Sequence, residues 1–290
     1  MAVSAITATG RLRRVTDNKL DVLALREELV APNGPYAALD LVDSTGSTNA
    51  DLLEAAKDGA ADRTVLLAEE QTAGRGRRSR DWVSPAGTGI YLSVLIRPTT
   101  VPAARLSTLG MVAGLALMHA AHEVAGVDAT LKWPNDLLVG ADRAKAAGVL
   151  SEVASDEAGQ AAVVGIGLNV TPLPDGVEPG PGGLRAGSLA DVGASTTDRT
   201  KLAAAWLRAF VELEAIWRLN DGDVERSGVL TGYREACGTI GQRVRAELPD
   251  GQSHTGVAVD VDAVGQLVIK LDDGTPLSVS AADVVHLKMD

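Results

Sequence analysis

The longest helical signal in this chain runs from about residue 103 to residue 124, and its apolar stripe is too wide to face water. The stripe consists of Leu106, Leu109, Val112, Leu115, Leu117 and Met118. The chain also contains short segments, rich in Val, Ile and Leu, that are typical of buried strands. They are residues 64–69, 90–97, 129–132, 147–153 and 162–170. The pattern predicts an α+β fold, with a mixed β-sheet backed by helices.

Shorter helices are expected around these strands. Apolar spacing indicates a helix over residues 20–30, and the cluster Ser47-Thr48-Asn49 predicts the start of a second helix that stops at Gly59. Two more are expected over residues 200–219 and 224–236. Residues 171–197 are rich in Pro and Gly and predict a long loop, which usually serves function or motion.

The pattern changes from about Thr239 onward. Short Val-rich runs alternate with the turn signals Pro249-Asp250-Gly251 and Asp272-Asp273-Gly274. We therefore predict three parts: an N-terminal arm and short helix over residues 1–40, a large domain over 41–238, and a small β-barrel-like module over 239–290. Within the first part, residues 1–19 lack sustained apolar periodicity and are expected to form a loose arm.

Composition restricts the class of function. The chain has 27 basic and 38 acidic residues and a net charge of −11, which disfavours general binding to polynucleotides. One cysteine, Cys237, excludes an internal disulfide and fits a reducing compartment. The sequence shows no run of eighteen apolar residues and no signal-peptide core, so we expect a cytoplasmic protein without a membrane partner.

A basic loop stands out against this acidic background. Four arginines occur within Gly74-Arg75-Gly76-Arg77-Arg78-Ser79-Arg80, which Asp81-Trp82 follows and Gln71 precedes. Guanidinium groups on a loop punctuated by glycine are suited to hold an anion together with backbone amides. The combination of anion, amide and flat ring indicates a nucleotide that binds beside a small polar ligand.

A second group of polar residues follows the strand at 129–132. Lys132-Trp133-Pro134-Asn135-Asp136 places a cation, a ring, an amide and a carboxylate together, so that Lys132 could bind phosphate and Asp136 a magnesium ion. Lys145 opens the next strand among small residues. Gly165 and Gly167, inside a strand, imply close approach by a backbone or a ligand.

Interpretations that give the same residues a structural role without a ligand stay open. The pentapeptide at 132–136 alone could be a solvated turn, Lys145 alone a surface lysine, and Ser47-Thr48-Asn49 plain helix caps. His119 and His122 with Glu123 could share a metal, although zinc helices more often use four-residue spacing. No Gly-Lys dipeptide occurs, which excludes a Walker-type phosphate loop.

In combination and order, these segments resemble the catalytic domain of biotin protein ligases. The resemblance spans about residues 43–170 and includes the loop 74–87 and the pentapeptide 132–136; the C-terminal module is also of the family type. Ser79 stands where the family usually has glycine, and Gly187-Ser188-Leu189 replaces a usual Thr-Ser-Leu. The resemblance implies a class II synthetase-like catalytic domain over 41–238 that binds biotin and ATP, followed by an SH3-like β-barrel.

The resemblance also implies an activity. The family joins biotin to ATP as biotinyl-5'-AMP with release of pyrophosphate, and then transfers biotin to a lysine of a biotin carboxyl carrier protein. By analogy Lys145 and Arg77 are catalytic. The biotin contacts are Ser47, Thr48, Asn49, Gln71, Gly74, Arg75, Gly76, Arg77 and Lys145. The ATP contacts are Arg75, Arg80, Trp82, Lys132, Asn135, Lys145 and Asn169, with Mg²⁺ on Asp136.

Two other functions remain alternatives at this stage. A lipoate ligase shares the adenylation logic, and a non-enzymatic binder of biotin or nucleotide would take up ligand without releasing pyrophosphate. Too few residues precede the site for a helix-turn-helix, so we expect a monofunctional enzyme that does not bind DNA. We expect a monomer or weak homodimer, with loops 71–87 and 171–190 mobile when empty and ordered when filled.

Overall fold

The computed structural model describes residues 19–156, 159–248, 251–280 and 283–287. The arm expected at residues 1–19 lies almost entirely outside this range. The described chain forms a seven-stranded sheet and a five-stranded sheet with helices packed on the first. The α+β class, with a mixed sheet backed by helices and a small C-terminal β-module, is confirmed.

The large sheet has the strand order β1-β2-β3-β7-β6-β5-β4. Only the pair β1 and β2 is parallel, and the other neighbours are antiparallel. The strands are β1 Ala38–Val42, β2 Thr64–Ala68, β3 Gly89–Ile96, β4 Ala129–Lys132, β5 Asp136–Val139, β6 Ala144–Asp156 and β7 Gly159–Asn169. β1 and β5 are absent from the sequence prediction. Both strands are fixed by pairing with their neighbours, β1 with β2 and β5 with β4 and β6, which a local sequence pattern does not report.

Five α-helices accompany this sheet: α1 Val22–Leu29, α2 Thr48–Lys57, α3 Leu109–His119, α4 Arg199–Leu219 and α5 Val229–Ala236. The predicted start of α5 at residue 224 is wrong. The Asp223 carboxylate accepts the N–H groups of Glu225 and Arg226 in a turn, and Gly228 has a left-handed φ of 78°. The helix begins only after that glycine.

The predicted helix from residue 103 to residue 124 is continuous but changes geometry along its length. A 3₁₀ segment, Ala103–Thr108, precedes α3, and a π segment, Ala120–Val124, follows it. By length and composition alone this stretch could cross a membrane. Its apolar residues pack against α4 and the sheet, and this packing in the core accounts for its hydropathy.

The two faces of the large sheet are covered differently. Side chains alternate along a strand, so Val94 and Val164 point toward α3 and α4, whereas Leu95 and Val163 point to the opposite face. On that opposite face α2 packs Leu52 and Ala56 against one end only. The rest of the face is left without a helix above it, and this is where the candidate site lies.

The C-terminal sheet is entirely antiparallel, with the order β11-β10-β9-β8-β12. Its strands are β8 Arg243–Glu247, β9 Ser253–Val261, β10 Leu267–Leu271, β11 Pro276–Val279 and β12 Asp283–His286. The predicted hairpin turn at Asp272-Asp273-Gly274 joins β10 to β11. The other predicted turn falls partly on residues 249–250, outside the described ranges. The sheet's buried side chains, such as Val244 and Ile269, join the core of the large sheet.

Candidate active site

A row of directly paired residues crosses the uncovered face of the sheet. Tyr91 on β3 pairs with Gly167 on β7, which pairs with Gly148 on β6, and Gly148 pairs with Asp136 on β5. Lys132 on β4 ends the row beside Asp136. Residues paired across strands share a face, so the two central glycines leave a bare floor between a tyrosine on one side and two charged residues on the other.

The indole of Trp82 lies on this floor. A Cβ at Gly167 would come within 2.2 Å of Trp82 Nε1, and a Cβ at Gly148 would lie 3.4 Å from the ring. Glycine at position 167 is therefore required for the ring to lie where it does. This explains one of the two glycines, Gly167, that the sequence places inside a strand otherwise rich in Val and Ile.

A β-bulge directs Lys145 to the same face. Asp136 pairs with Gly148 and Leu138 pairs with Lys145, so β6 has one more residue than β5 between these two pairs. Without the extra residue, the side chain three positions before Gly148 would point to the opposite face. With it, the Lys145 ammonium reaches the floor.

The Lys145 ammonium has two partners there. Its Nζ lies 2.7 Å from Asp136 Oδ1, in ionic contact although outside the angles of a hydrogen bond, and 5.3 Å from the centroid of the Trp82 ring. The Lys145 side chain is 27 % exposed. A lysine held beside a carboxylate and a ring at the floor of a cavity differs from the solvated surface lysine that position 145 alone would suggest.

The end of the face next to α2 is polar. Gln71 Oε1 accepts the Thr48 backbone N–H at 2.9 Å and the Thr48 hydroxyl at 3.1 Å, and Thr48 Oγ1 lies 2.7 Å from Ser93 Oγ. Gln71 Nε2 donates to Ser84 Oγ. Ser47 is the N-cap residue of α2, but its side chain makes no capping hydrogen bond. The first turn of α2 is thus capped by Gln71, from a separate loop.

Asn49 joins α2 to the sheet. Its Nδ2 donates to the Leu150 carbonyl and to Glu152 Oε2 at 2.8 Å, and its Oδ1 accepts from Ser93 Oγ at 2.6 Å. A Cβ at Gly165 would lie 2.0 Å from Asn49 Oδ1, so glycine there makes room for this amide. Both amide atoms of Asn49 are used within the protein, and a contact of this residue with ligand stays a prediction.

The arginine loop forms a narrow hairpin above this face. The Trp82 N–H donates to the Gly74 carbonyl at 2.9 Å and the Gly76 N–H to the Arg80 carbonyl at 2.7 Å, while Arg78 at the tip has a φ of 57°. A Cβ at Gly74 would meet the Trp82 carbonyl at 2.6 Å. Gly74 therefore serves the hairpin itself, and the loop's side chains reach toward the face below.

Besides Asp136 Oδ1, which is in ionic contact with Lys145, two buried polar atoms at this site have no hydrogen-bond partner among the described residues. They are Trp82 Nε1, a donor, and Asn169 Oδ1, an acceptor. The other amide atom of Asn169 donates to the Gly187 carbonyl at 2.9 Å, and this bond fixes the side chain. Because buried polar groups are almost always paired, both atoms indicate a ligand with a matching acceptor and donor.

A single cavity of about 570 Å³ joins these parts. Every predicted site residue except Gly74 lines it: Ser47, Thr48, Asn49, Gln71, Arg75, Gly76, Arg77, Arg80, Trp82, Lys132, Asn135, Asp136, Lys145 and Asn169. The sequence analysis missed Ser93 and Gly148. The available signal was that each is a small or polar residue between apolar neighbours on a strand, which places it on the face opposite to the core. Val284 of β12 was also missed; it lines the cavity from the C-terminal module and had no local signal.

The alternative metal site on α3 is not supported. Across the described ranges, no group of three His, Cys, Asp or Glu side chains is arranged to hold a metal ion. The His122 ring nitrogen Nε2 instead lies 3.3 Å from both the backbone N–H and the carbonyl of Ala129.

A cavity on the open face of a mixed sheet, lined by an arginine hairpin and by residues of strands β3 to β7, is suited to hold two anionic ligands side by side, and its class is that of the ligases that the following matches identify. Residues 41–169 match the biotin/lipoate A/B protein ligase family, and residues 239–287 match the biotin protein ligase C-terminal domain. Together with the relatives below, these matches show that the chain belongs to the biotin protein ligase family.

Curated relatives and solved structures agree with this assignment. The chain is 42% identical over 273 residues to the biotin–[acetyl-CoA-carboxylase] ligase of Mycobacterium tuberculosis, covering 93% of this chain and 96% of that protein. It is 31% identical to the bifunctional ligase/repressor BirA of Bacillus subtilis over 80% of this chain and 69% of that one. The biotin protein ligase of Aquifex aeolicus in complex with biotin and ATP superposes with a TM-score of 0.71 at 25% identity, covering 87% of this chain and 100% of that one.

Proposed function

We propose that this protein is an ATP-dependent biotin protein ligase. The biotin carboxylate attacks the α-phosphorus of ATP, the bond to pyrophosphate breaks, and biotinyl-5'-AMP forms. A lysine amine of a biotin carboxyl carrier protein then attacks the biotinyl carbonyl, and AMP leaves. Family membership supports the reaction class, and the cavity supports the assignment of roles to residues.

The observation that carries this proposal is the convergence of cations from separate segments. Arg75 and Arg77 from the hairpin, Lys145 from β6 and Lys132 from β4 all line one cavity. The two reactants are both anions, so their approach requires screening by positive charge. Phosphoryl-type transfers are catalysed mainly by such positioning and charge stabilisation, which makes Lys145 and Arg77 our candidates for the catalytic groups.

The two ends of the cavity suit different parts of the substrates. We assign biotin to the polar end beside α2, where Ser47, Thr48 and Gln71 offer hydroxyl and amide groups for a ureido ring. The nucleotide takes the other end, where Asn169 Oδ1 has no partner among the described residues and can accept an N–H from adenine. The Trp82 ring, which already lies over the glycine floor, supplies the stacking surface.

Asp136 fits a magnesium ion that arrives with ATP. Mg²⁺ in nucleotide sites is usually held by one or two protein carboxylates, with phosphate and water completing its six ligands. Asp136 is a buried carboxylate beside Lys132 and Lys145, and its Oδ1 makes no hydrogen bond. The ion would neutralise charge on the phosphates, and the protein's part is to present this one carboxylate at the floor.

The remaining partners follow from the same proposal. We propose that the acceptor is a carrier protein of an acyl-CoA carboxylase, as the name of the Mycobacterium tuberculosis relative indicates for that protein. Cytoplasmic location, the absence of DNA and membrane partners, and a monomer or weak homodimer stay predictions. So do the boundaries at residues 40 and 238.

A pyrophosphate exchange assay tests the proposed function. Labelled pyrophosphate should appear in ATP when biotin is present, and not when lipoate or no acid is added. Exchange driven by lipoate would make the protein a lipoate ligase. Binding of biotin and ATP without exchange would make it a non-enzymatic binder.

A further inference from the structure

The hairpin between β4 and β5 carries two of the proposed nucleotide contacts, Lys132 and Asn135, and the proposed magnesium ligand Asp136, within five residues. β4 is an edge strand of the large sheet. An edge strand of four residues has little internal support of its own, so the position of this hairpin depends on what packs against its outer side.

The outer side is held by the chain that leads into the C-terminal module. The Gly238 N–H donates to the Leu131 carbonyl at 2.9 Å, and the Trp133 N–H donates to Thr239 Oγ1 at 3.0 Å. The indole N–H of Trp133 donates to the carbonyl of Gly265 in the β9–β10 turn at 2.9 Å. Trp133, the first residue of the hairpin turn, is thus bound at its backbone and at its side chain by the module.

The Thr239 hydroxyl has a second partner within the module. Its Oγ1 lies 3.1 Å from His286 Nε2 on β12, and Thr239 is fully buried. Because Oγ1 already accepts the Trp133 N–H, its single proton can be donated to Nε2 of His286, although the Cys237 thiol also lies within hydrogen-bonding reach of the Thr239 hydroxyl. Burial, together with the neighbouring Lys132 ammonium, lowers the pKa of His286 to about 4, so its ring is neutral near pH 7 and can accept that proton.

We propose that Thr239 and His286 are positioning residues for the nucleotide, because they connect the C-terminal module to the hairpin that carries Lys132, Asn135 and Asp136. Neither residue lines the cavity. They act through the backbone of Trp133. This inference rests on the proposed function for the identity of the ligand, and it assigns a task to the module at named atoms.

The test measures ATP and biotin affinity separately by calorimetry on the full chain. Thr239→Val keeps the volume of the side chain but removes the hydroxyl, which leaves the Trp133 N–H and His286 Nε2 without their partner. We expect the Kd for ATP to rise roughly tenfold, as the loss of about one hydrogen bond implies, with the Kd for biotin unchanged. Thr239→Ser should restore ATP affinity.

Two further variants sharpen the test. Thr255→Val makes the same substitution on β9 and should leave both affinities at the wild-type value. His286→Phe removes the acceptor at the other end and should weaken ATP binding in the same direction. It also serves as the probe if Thr239→Val does not fold. In a double-mutant cycle, His286→Phe should raise the Kd for ATP little further when Thr239→Val is already present, because both substitutions break the same connection from β12 through Thr239 to Trp133.

The inference is overturned if Thr239→Val or His286→Phe binds ATP as tightly as the wild type, or loses biotin affinity to the same extent. It can fail while the proposed function stands, since the wild type would still catalyse biotin-driven exchange. Conversely, a change in ATP affinity confined to these variants would support it even if the wild type showed no exchange, because the measurement is of binding.

Discussion

At the residue scale, the placement of Lys145 results from a bulge, and its consequence can be tested. Lys145→Ala removes the ammonium that we place between the two anionic reactants. Loss of one preorganised charged donor typically costs about 10²–10³ in rate, so biotin-driven pyrophosphate exchange should fall by at least roughly that factor. Because the substitution also removes the ionic partner of the buried Asp136 carboxylate, the melting temperature is measured on the same sample, and the comparison of rates is made at a temperature where the variant is folded.

A matched control comes from α4. Lys201→Ala removes an exposed lysine whose side chain is 72 % accessible and which does not line the cavity. It should leave the exchange rate unchanged. An active Lys145→Ala enzyme would contradict the catalytic role assigned to this residue.

The glycine floor makes a second prediction at this scale. A methyl group at Gly167 would displace the Trp82 ring, whereas one at Gly148 would only touch it. Gly167→Ala should therefore weaken ATP binding by roughly tenfold or more through loss of the stacking surface, and Gly148→Ala by clearly less. Isothermal titration with ATP decides this, and equal effects of the two variants would show that Trp82 does not stack on the nucleotide.

His286 gives a prediction about pH. Its pKa is lowered to about 4 in the folded protein, mainly by burial and then by Lys132, from about 6.5 in an unfolded chain. Between these values the unfolded chain binds a proton that the folded protein does not, so the free energy of unfolding falls as pH falls from about 6.5 to about 4. The free energy of unfolding, measured by urea titration at several pH values in this range, should depend less steeply on pH for His286→Gln than for the wild type. An equal pH dependence of the two proteins would refute the pKa shift.

At the element scale, α2 packs on one end of the open face of the sheet and brings Thr48 and Asn49 to the site. Its anchor is Leu52, buried against Leu95 and Val163. Leu52→Ala should lower the free energy of unfolding by about 2–5 kcal/mol through transfer and cavity terms. Denaturant unfolding measures this loss. Leu53→Ala, a partly buried neighbour, should cost less, and a smaller loss at Leu52 would argue against α2 as a packed element.

The elements also show how far the sequence alone could go. Segments with a long apolar period, such as α4 and β3, were predicted to within one residue at each end. β5 was missed because it follows Asn135 directly after a short turn, and the bulge before Gly148 was missed because the segment from Lys145 reads as a regular strand. Both are set by pairing with neighbouring strands, which a local pattern does not report.

At the scale of the whole molecule, the fold brings the predicted residues of the candidate site together. The hydrogen bonds that hold them in place were not predicted from the sequence. The sequence pointed to Gln71 and Asn169 through family resemblance, and they line one cavity with Lys145. It could not show that Gln71 caps α2, or that Thr239 holds Trp133, because these hydrogen bonds join residues 23 and 106 positions apart. Such contacts depend on the assembled fold.

The charge distribution belongs to the same scale. In a chain with net charge −11, five basic side chains and four acidic ones line the cavity, so the formal charge of the lining is slightly positive whereas that of the whole molecule is negative. This arrangement favours small anions that can enter the cavity over extended polyanions that must lie along the surface. It agrees with a substrate pair of biotin and ATP.

We propose that positive groups from separate strands and loops act on one ligand, and a crystal structure of the protein with biotinyl-5'-AMP would show whether they do. We expect the adenine ring to stack on the Trp82 indole that covers Gly148 and Gly167, with the bond between the carboxyl and phosphate groups of the adenylate in contact with Lys145 and with Arg75 or Arg77. An adenylate whose carboxyl–phosphate junction touched neither Lys145 nor the arginine hairpin would contradict it.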